Sequence, residues 1–176
     1  MAETKSIVFG GGCFWCTEAV FAMLKGVIRT TAGYAGGNTS NPSYEEVSEF
    51  NTGHAEVLQI EYDPGKIPLN KLLEVFFEMH DPTSLNRQGA DVGTQYRSAI
   101  FYAADADKAA IEKFIDKMRP RFKKPIVTEV KRLERFYPAE EYHQKYYEKN
   151  PERPYCTVVI RPKVEKIMKE FAAEMK

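Results

Sequence analysis

The spacing of apolar residues changes repeatedly along the chain, and each change marks an element. Ser6-Ile7-Val8-Phe9 is an apolar run stopped by Gly10-Gly11-Gly12, which reads as a strand entering a turn. Between Cys13 and Lys25 the positions Cys13, Cys16, Val20 and Leu24 recur at helical spacing, and Gly26 closes the run. Val27 to Thr31 is β-branched and strand-like, Gly33, Gly36 and Gly37 mark turns, and a short helix is predicted from Tyr44 to Phe50 behind Pro42 and Ser43. Ala55 to Tyr62 alternates as a half-buried strand, with Leu58, Ile60 and Tyr62 on one face. Pro68 starts a helix whose stripe is Leu69, Leu72, Leu73, Phe76 and His80.

Asp81 to Arg97 has no periodicity, and a structureless stretch of that length inside a domain is usually functional. Ser98 to Ala103 reads as a strand. Asp105 caps a helix carrying Ile111, Phe114, Ile115 and Met118. Ile126 to Leu133 reads as another strand, and Pro138 opens a helix rich in Tyr. Pro151, Pro154 and Pro162 punctuate a predicted loop, residues 150–162, that holds Cys156; residues 163–176 form a final helix with Val164, Ile167, Met168 and Phe171 on one face. With no repeat, low-complexity tract or linker, the pattern predicts one domain over residues 1–176. Strands alternate with helices and differ in polarity, so the expected fold class is α+β, a two-layer sandwich with a mixed sheet.

Composition narrows the function. Lys plus Arg and Asp plus Glu number 25 each, so the formal net charge is zero, which argues against a nucleic-acid or membrane-surface protein. No apolar run approaches the roughly 20 residues of a membrane span, and the polar start Met1–Lys5 offers no signal-peptide core. A soluble, cytoplasmic protein is expected, and a monomer. Three cysteines, Cys13, Cys16 and Cys156, are too few and too odd in number for a disulfide framework. In a reducing compartment such cysteines are core residues, catalytic groups or metal ligands.

Cys13 falls at the first turn of a helix that follows a strand, where unpaired N–H groups and the helix dipole favour an anion. A lowered thiol pKa is therefore expected there, against the alternative of a small buried hydrophobe. Cys16, three residues on, is either a redox partner in a Cys-x-x-Cys pair or a core neighbour of Val20 and Leu24. Glu56 shares strand parity with Leu58, Ile60 and Tyr62. Aimed at the core, its carboxyl would be held protonated by desolvation, as a general acid requires; at the rim it would be solvated and ionised. Taken singly, Tyr44 and Tyr96 read as packing and Asp91 as a solvated loop residue. A zinc site built on the cysteines with His54, His80 or His143 lacks a second close ligand pair, so no metal is expected. His80, on an apolar stripe, reads as a satisfied core histidine.

Gly12-Cys13-Phe14-Trp15 resembles the opening of the peptide methionine sulfoxide reductase A signature. Further stretches are similar to the same family, in order, from about residue 6 to residue 157: Gly33-Tyr34-Ala35-Gly36-Gly37, Asn41-Pro42-Ser43-Tyr44, Thr52-Gly53-His54-Ala55-Glu56, His80-Asp81-Pro82, Asp91 through Ser98, and Tyr142-His143-Gln144-Lys145-Tyr146. The resemblance implies a mixed α+β fold around a ferredoxin-like core and reduction of the S epimer of methionine sulfoxide, free or protein-bound. By the same resemblance Cys13 is the nucleophile, and Phe14 and Trp15 cradle the S-methyl group. Glu56 protonates the sulfoxide oxygen, Tyr44 and Tyr96 hydrogen-bond it, and Asp91 positions the substrate. No cofactor is implied; the reductant is an external dithiol, thioredoxin or dithiothreitol. Many relatives carry Gly where this chain has Cys16. Cys156 stands where the family's resolving cysteine usually lies, and an exposed loop thiol is the easier one to present, so Cys156 is expected to resolve the sulfenic acid, with Cys16 as the alternative.

Overall fold

The computed structural model describes residues 3–49 and 52–176. In chain order the elements are β1 (Lys5–Gly10), α1 (Phe14–Phe21), β2 (Val27–Ala35), α2 (Tyr44–Ser48), β3 (Ala55–Tyr62), α3 (Leu69–Met79), β4 (Arg87–Gln88), β5 (Asp91–Val92), β6 (Ala99–Tyr102), α4 (Asp105–Met118), β7 (Glu129–Arg132), β8 (Phe136–Pro138), α5 (Tyr146–Lys149) and α6 (Arg161–Glu170). Six strands form one sheet in the order β7-β6-β1-β3-β2-β8, while β4 and β5 make a separate hairpin. β6 and β7 run parallel and every other pair in the sheet is antiparallel, so the architecture is a mixed α+β fold.

Strand parity decides what lies on each face. Ile7, Phe9, Leu58, Ile60 and Ile100 point to the side covered by α1, α3, α4 and α6 and merge there into the main core. Val8, Val57, Ala99 and Phe101 point the other way, under Leu133 and Phe136. At the end of β2 and β3 nearest α1, Phe14, Ala32, Tyr34, Val47 and Ala139 form a third cluster, and the site is built on it.

Several elements end where the pattern did not place them. α1 stops at Phe21 rather than Lys25, because the next turns tighten to i→i+3 bonds and Lys25 N–H is taken by the Glu174 carbonyl near the C-terminus. The predicted end of α2 at Phe50 lies outside the described residues; its start is a capping box, Ser43 with Glu46. The segment between Asp81 and Arg97 carries the β4–β5 hairpin and a 3-10 turn, Thr94–Tyr96. Pro138 closes the edge strand β8 instead of opening a helix, a position where its missing N–H costs nothing. Only short helical turns follow it, Glu141–His143 and α5.

The largest correction concerns residues 150–162, predicted as a loop. Helix begins at Pro154, passes through a π turn over Cys156–Ile160 and continues as α6. Pro154 occupies the first turn, where no N–H is needed. Pro162 has no N–H to return to the turn before it, and the wider π turn just upstream lets the helix pass through the proline. Cys156 is consequently 0% exposed and packs in the main core with Ile160, Val164 and Ile167. The final helix stops at Glu170, with a 3-10 turn at Ala172–Glu174, and Met168 faces solvent instead of sharing the buried face. Lys176 N–H then bonds to the Met23 carbonyl, so the end of the chain is tied to the turn after α1. Among the described residues no helix is long and apolar enough to cross a membrane.

His80 is the satisfied core histidine its pattern suggested. Its Nδ1 faces the Phe76 carbonyl and must donate, so Nε2 accepts from the Ser98 hydroxyl, which in turn meets Thr128. Burial holds its pKa down at about 4. Unfolded, the ring titrates near 6.5, so its contribution to stability is complete above that pH and is lost as pH falls from about 6.5 to 4. Urea unfolding of the wild type between those pH values should therefore lose stability more steeply than that of His80→Asn, by on the order of 3 kcal/mol at the limit. Parallel slopes would show that the imidazole does not control this window.

Candidate active site

The site forms where β1 runs into α1 above the end of β3. Gly12 makes the turn with φ of 98°, a left-handed backbone that side chains resist, and a Cβ there would press on the Gln88 side chain at 3.0 Å. Cys13 follows as the N-cap of α1, half-buried, so its thiol stands at the open end of the helix. Glu56, opposite Tyr34 in the β2–β3 register, projects from the helix-covered face directly beneath that end. It is 2% exposed, and its Oε1 accepts the Phe14 backbone N–H at 3.2 Å. Burial raises its pKa to about 8 against the pull of that single N–H bond, with Asp91 adding repulsion. The carboxyl is neutral at pH 7, as the core-facing reading required.

Cys13 departs from the expectation of a lowered pKa. Burial pushes its thiol well above the ordinary value, and the contact with Cys16 and the neighbouring Glu56 push the same way; the Trp15 N–H works against them. The helix end is a weak anion site because its first N–H is already spent on Glu56. Cys16 lies one turn on, close enough for the two thiols to share a hydrogen bond, and that bond lowers its pKa.

Phe14 and Trp15 make an apolar wall beside the thiol. Phe14 is buried against Tyr34 and His143, with ring centroids 5.7 and 5.1 Å apart. Trp15 is half-buried, stacks on Tyr146 at 3.7 Å and 8°, and donates its indole N–H to His143 Nδ1 at 3.0 Å. Tyr44 stands against His143 at 4.6 Å, and its backbone N–H is held by Glu140. Tyr96 enters from the 3-10 turn. Burial raises both phenols, Tyr44 to about 12, and both feel the charge of Glu56 and Cys13. They are therefore donors at any physiological pH.

Asp91, on the hairpin, accepts a 2.8 Å hydrogen bond from the Tyr155 hydroxyl, and that hydroxyl also lies 3.9 Å from Cys16 Sγ. The fold thus brings together Cys13, Phe14, Trp15, Tyr44, Glu56 and Tyr96 directly, and Asp91 and Cys16 through Tyr155. Cys156 stands apart, sealed in its helix. Sequence reasoning weighed His143 only as a metal ligand and assigned no part to Tyr155 or Tyr146, nor to Glu140, which accepts from both Tyr34 and Tyr44. Their signal was the run Tyr142–Tyr146, dense in polar and aromatic residues after Pro138. Among the described residues no group of three or more His, Cys, Asp or Glu could hold a metal ion.

A neutral carboxylic acid and two phenols beside a thiol can activate an electron-poor sulfur–oxygen group for attack at sulfur, and the rings alongside suit a methyl group. Comparison with known proteins agrees with that chemistry. The chain is 53% identical to the peptide methionine sulfoxide reductase MsrA of Haloquadratum walsbyi over 175 residues, covering 99% of both chains. The crystal structure of reduced Mxr1 from Saccharomyces cerevisiae superposes with a TM-score of 0.83 at 40% identity, covering 88% of this chain and 90% of that one. Mxr1 in complex with Trx2 gives a TM-score of 0.59 at 30% identity, covering 82% of this chain and 85% of that one. The family model for peptide methionine sulfoxide reductase matches residues 5–176, and the chain belongs to that family.

Proposed function

We propose that this chain reduces the S epimer of methionine sulfoxide, free or in proteins, by way of a Cys13 sulfenic acid, and the observation that carries the reading is the buried, neutral Glu56 hydrogen-bonded at the helix end that bears Cys13. Glu56 gives its proton to the sulfoxide oxygen, with Tyr44 and Tyr96 donating to the same atom. Cys13 sulfur attacks the substrate sulfur and forms an S–S bond. The hydroxyl then passes from the substrate sulfur to Cys13 sulfur as that S–S bond breaks, methionine leaves with the electron pair, and Cys13 is left as sulfenic acid. The thiol proton replaces the one Glu56 lost, so the step balances without an outside acid. A pyramidal sulfoxide whose oxygen meets Glu56, whose methyl meets Phe14 and Trp15, and whose backbone is held by Asp91 offers its sulfur to Cys13 in one hand only. The uncharged wall gives polar analogues little to bind.

For the remaining thiols we infer the order Cys16 first and Cys156 second. The argument for Cys156 as first resolver was its exposure in a loop, and Cys156 is buried in a helix. Cys16 lies one turn from Cys13, near enough for the two thiols to shift each other, and its pKa is lowered where that of Cys13 is raised. Cys16 therefore condenses with the sulfenic acid, releasing water and forming a Cys13–Cys16 disulfide. Cys156 lies close enough to Cys16 for their charges to interact and is second in line, once its π turn opens. An external dithiol then reduces the disulfide. Thioredoxin is the proposed donor, supported by the relative bound to Trx2. The chemistry uses no prosthetic group. Three free thiols suit a reducing compartment, which supports a cytoplasmic setting. The finer fold reading is a two-layer sandwich with a ferredoxin-like core; the succession β1-α1-β2-β3-α3-β6 in the antiparallel order β6-β1-β3-β2 supports it.

Separated epimers of a methionine sulfoxide peptide, assayed with dithiothreitol, should show turnover of the S form only, and Cys13→Ser should abolish it. Equal turnover of both epimers, or survival of activity in Cys13→Ser, would sink the reading. The protonated-carboxyl infrared band of Glu56 should disappear as pH rises through about 8 and be missing from Glu56→Gln; Glu56→Ala should lower kcat/KM by roughly 10²–10⁴. A band lost near the ordinary carboxylate range would remove the acid. Peptide mapping after a single turnover without reductant should find Cys13 joined to Cys16, unchanged in Cys156→Ser. An exclusive Cys13–Cys156 link would restore the order expected from sequence.

A further inference from the structure

One buried carboxylate takes no part in the reaction described above. Glu18 is 3% exposed and lies on α1 one turn beyond Trp15. Its Oε1 accepts the Lys145 backbone N–H at 2.6 Å and its Oε2 accepts the Thr30 hydroxyl at 2.8 Å. The Lys145 ammonium closes the circuit by donating to the Thr30 hydroxyl at 3.2 Å. Burial raises the Glu18 carboxyl, and those bonds draw it back. A charged group at this depth is costly unless each oxygen is satisfied, and here each is.

What the carboxylate grips is a strained residue. Lys145 has φ of 55°, a left-handed backbone that a residue with a Cβ resists. That conformation turns its N–H onto Glu18. On one side of Lys145, His143 accepts the Trp15 indole N–H; on the other, Tyr146 lies flat on the indole. The anchor point therefore sits between the two side chains that orient Trp15, and Glu18 ties it to the helix from which Trp15 itself projects.

We propose that Glu18 is a positioning residue that, through Lys145, sets the plane of Trp15 and with it the width of the recess for the substrate's S-methyl group. The inference rests on the reading that Trp15 walls that recess. It predicts a change in selectivity: a loosened indole admits a larger alkyl group. Glu18→Gln keeps a carbonyl for Lys145 and an amide that can donate to Thr30, so it should preserve the circuit, whereas Glu18→Ala breaks it.

Trp15 is the single tryptophan of the chain, so its fluorescence reports on this wall alone. In Glu18→Ala, acrylamide quenching should rise several-fold, and the preference for a methyl over an ethyl sulfoxide in kcat/KM should fall roughly tenfold, the scale of one methylene in an apolar pocket. Glu18→Gln should stay near the wild type in both. In a Trp15→Phe background, Glu18→Ala should no longer change the preference. Wild-type quenching and preference in a folded Glu18→Ala, with only its unfolding midpoint lowered, would overturn the proposal. If that variant does not fold, Thr30→Val removes one arm of the circuit and should shift both readouts in the same direction; no shift would be equally fatal. Failure of the wild type to reduce either sulfoxide would count against the reductase reading, and quenching would still decide the staple.

Discussion

A carboxylic acid kept out of water beside a thiol is the constraint on which this architecture turns. Glu56 must lie deep enough for desolvation to hold its proton, yet within reach of the open end of α1. Strand parity supplies the depth, because position 56 shares a face with Leu58 and Ile60. The Phe14 N–H supplies the reach and stabilises the carboxylate only in part. The same N–H cannot also serve Cys13, so the thiol is left without the full benefit of its helix end. One backbone donor thus helps to set the protonation of both groups.

Around that pair, rigidity comes from buried polar groups more than from regular structure. The segment after β8 has only short helical turns, yet it carries His143 and Tyr146 against Trp15. Gln144 fixes it to β2 by accepting from the Ala32 N–H and donating to the Ala32 carbonyl, as an added strand would. Glu140 grips Tyr34 and Tyr44 on one side, and Glu18 grips Lys145 on the other. Each bond would be modest on a surface; inside, leaving one partner unmade is costly, so the set holds a single arrangement. The apolar wall made by Phe14 and Trp15 depends on such definition, since apolar contacts carry no direction of their own.

The three thiols show how context sorts chemically identical groups. Cys13 and Cys16 meet at the start of one helix, whereas Cys156 is enclosed by the core that α6 completes. Its surroundings include the π turn, a locally underwound stretch of the kind that often accompanies function. The end of the chain pairs with the turn after α1, so the segment beyond Cys156 is anchored at both ends.

Much of this was readable in the chain because local rules suffice for it. Glycine before Cys13 announces a turn into a helix, two-residue periodicity turns Glu56 inward, and the stripe on α3 makes His80 a core residue; neighbours in sequence decide each of these. The ordered motifs carried the family. Tertiary structure decided the rest. Prolines at 154 and 162 look like breakers, and only the packing of Val164 and Ile167 with a π turn makes that stretch a helix. The partners of Trp15 come from 128 residues away, and Lys145 reaches Glu18 across 127. Contacts at that separation leave no periodic trace, because they exist only once the sheet has brought β2, α1 and the segment after β8 together. Local pattern was enough to single out the residues able to do chemistry; the fold decided how deeply each carboxyl and thiol is buried and what holds the ring beside them, because those contacts join distant parts of the chain.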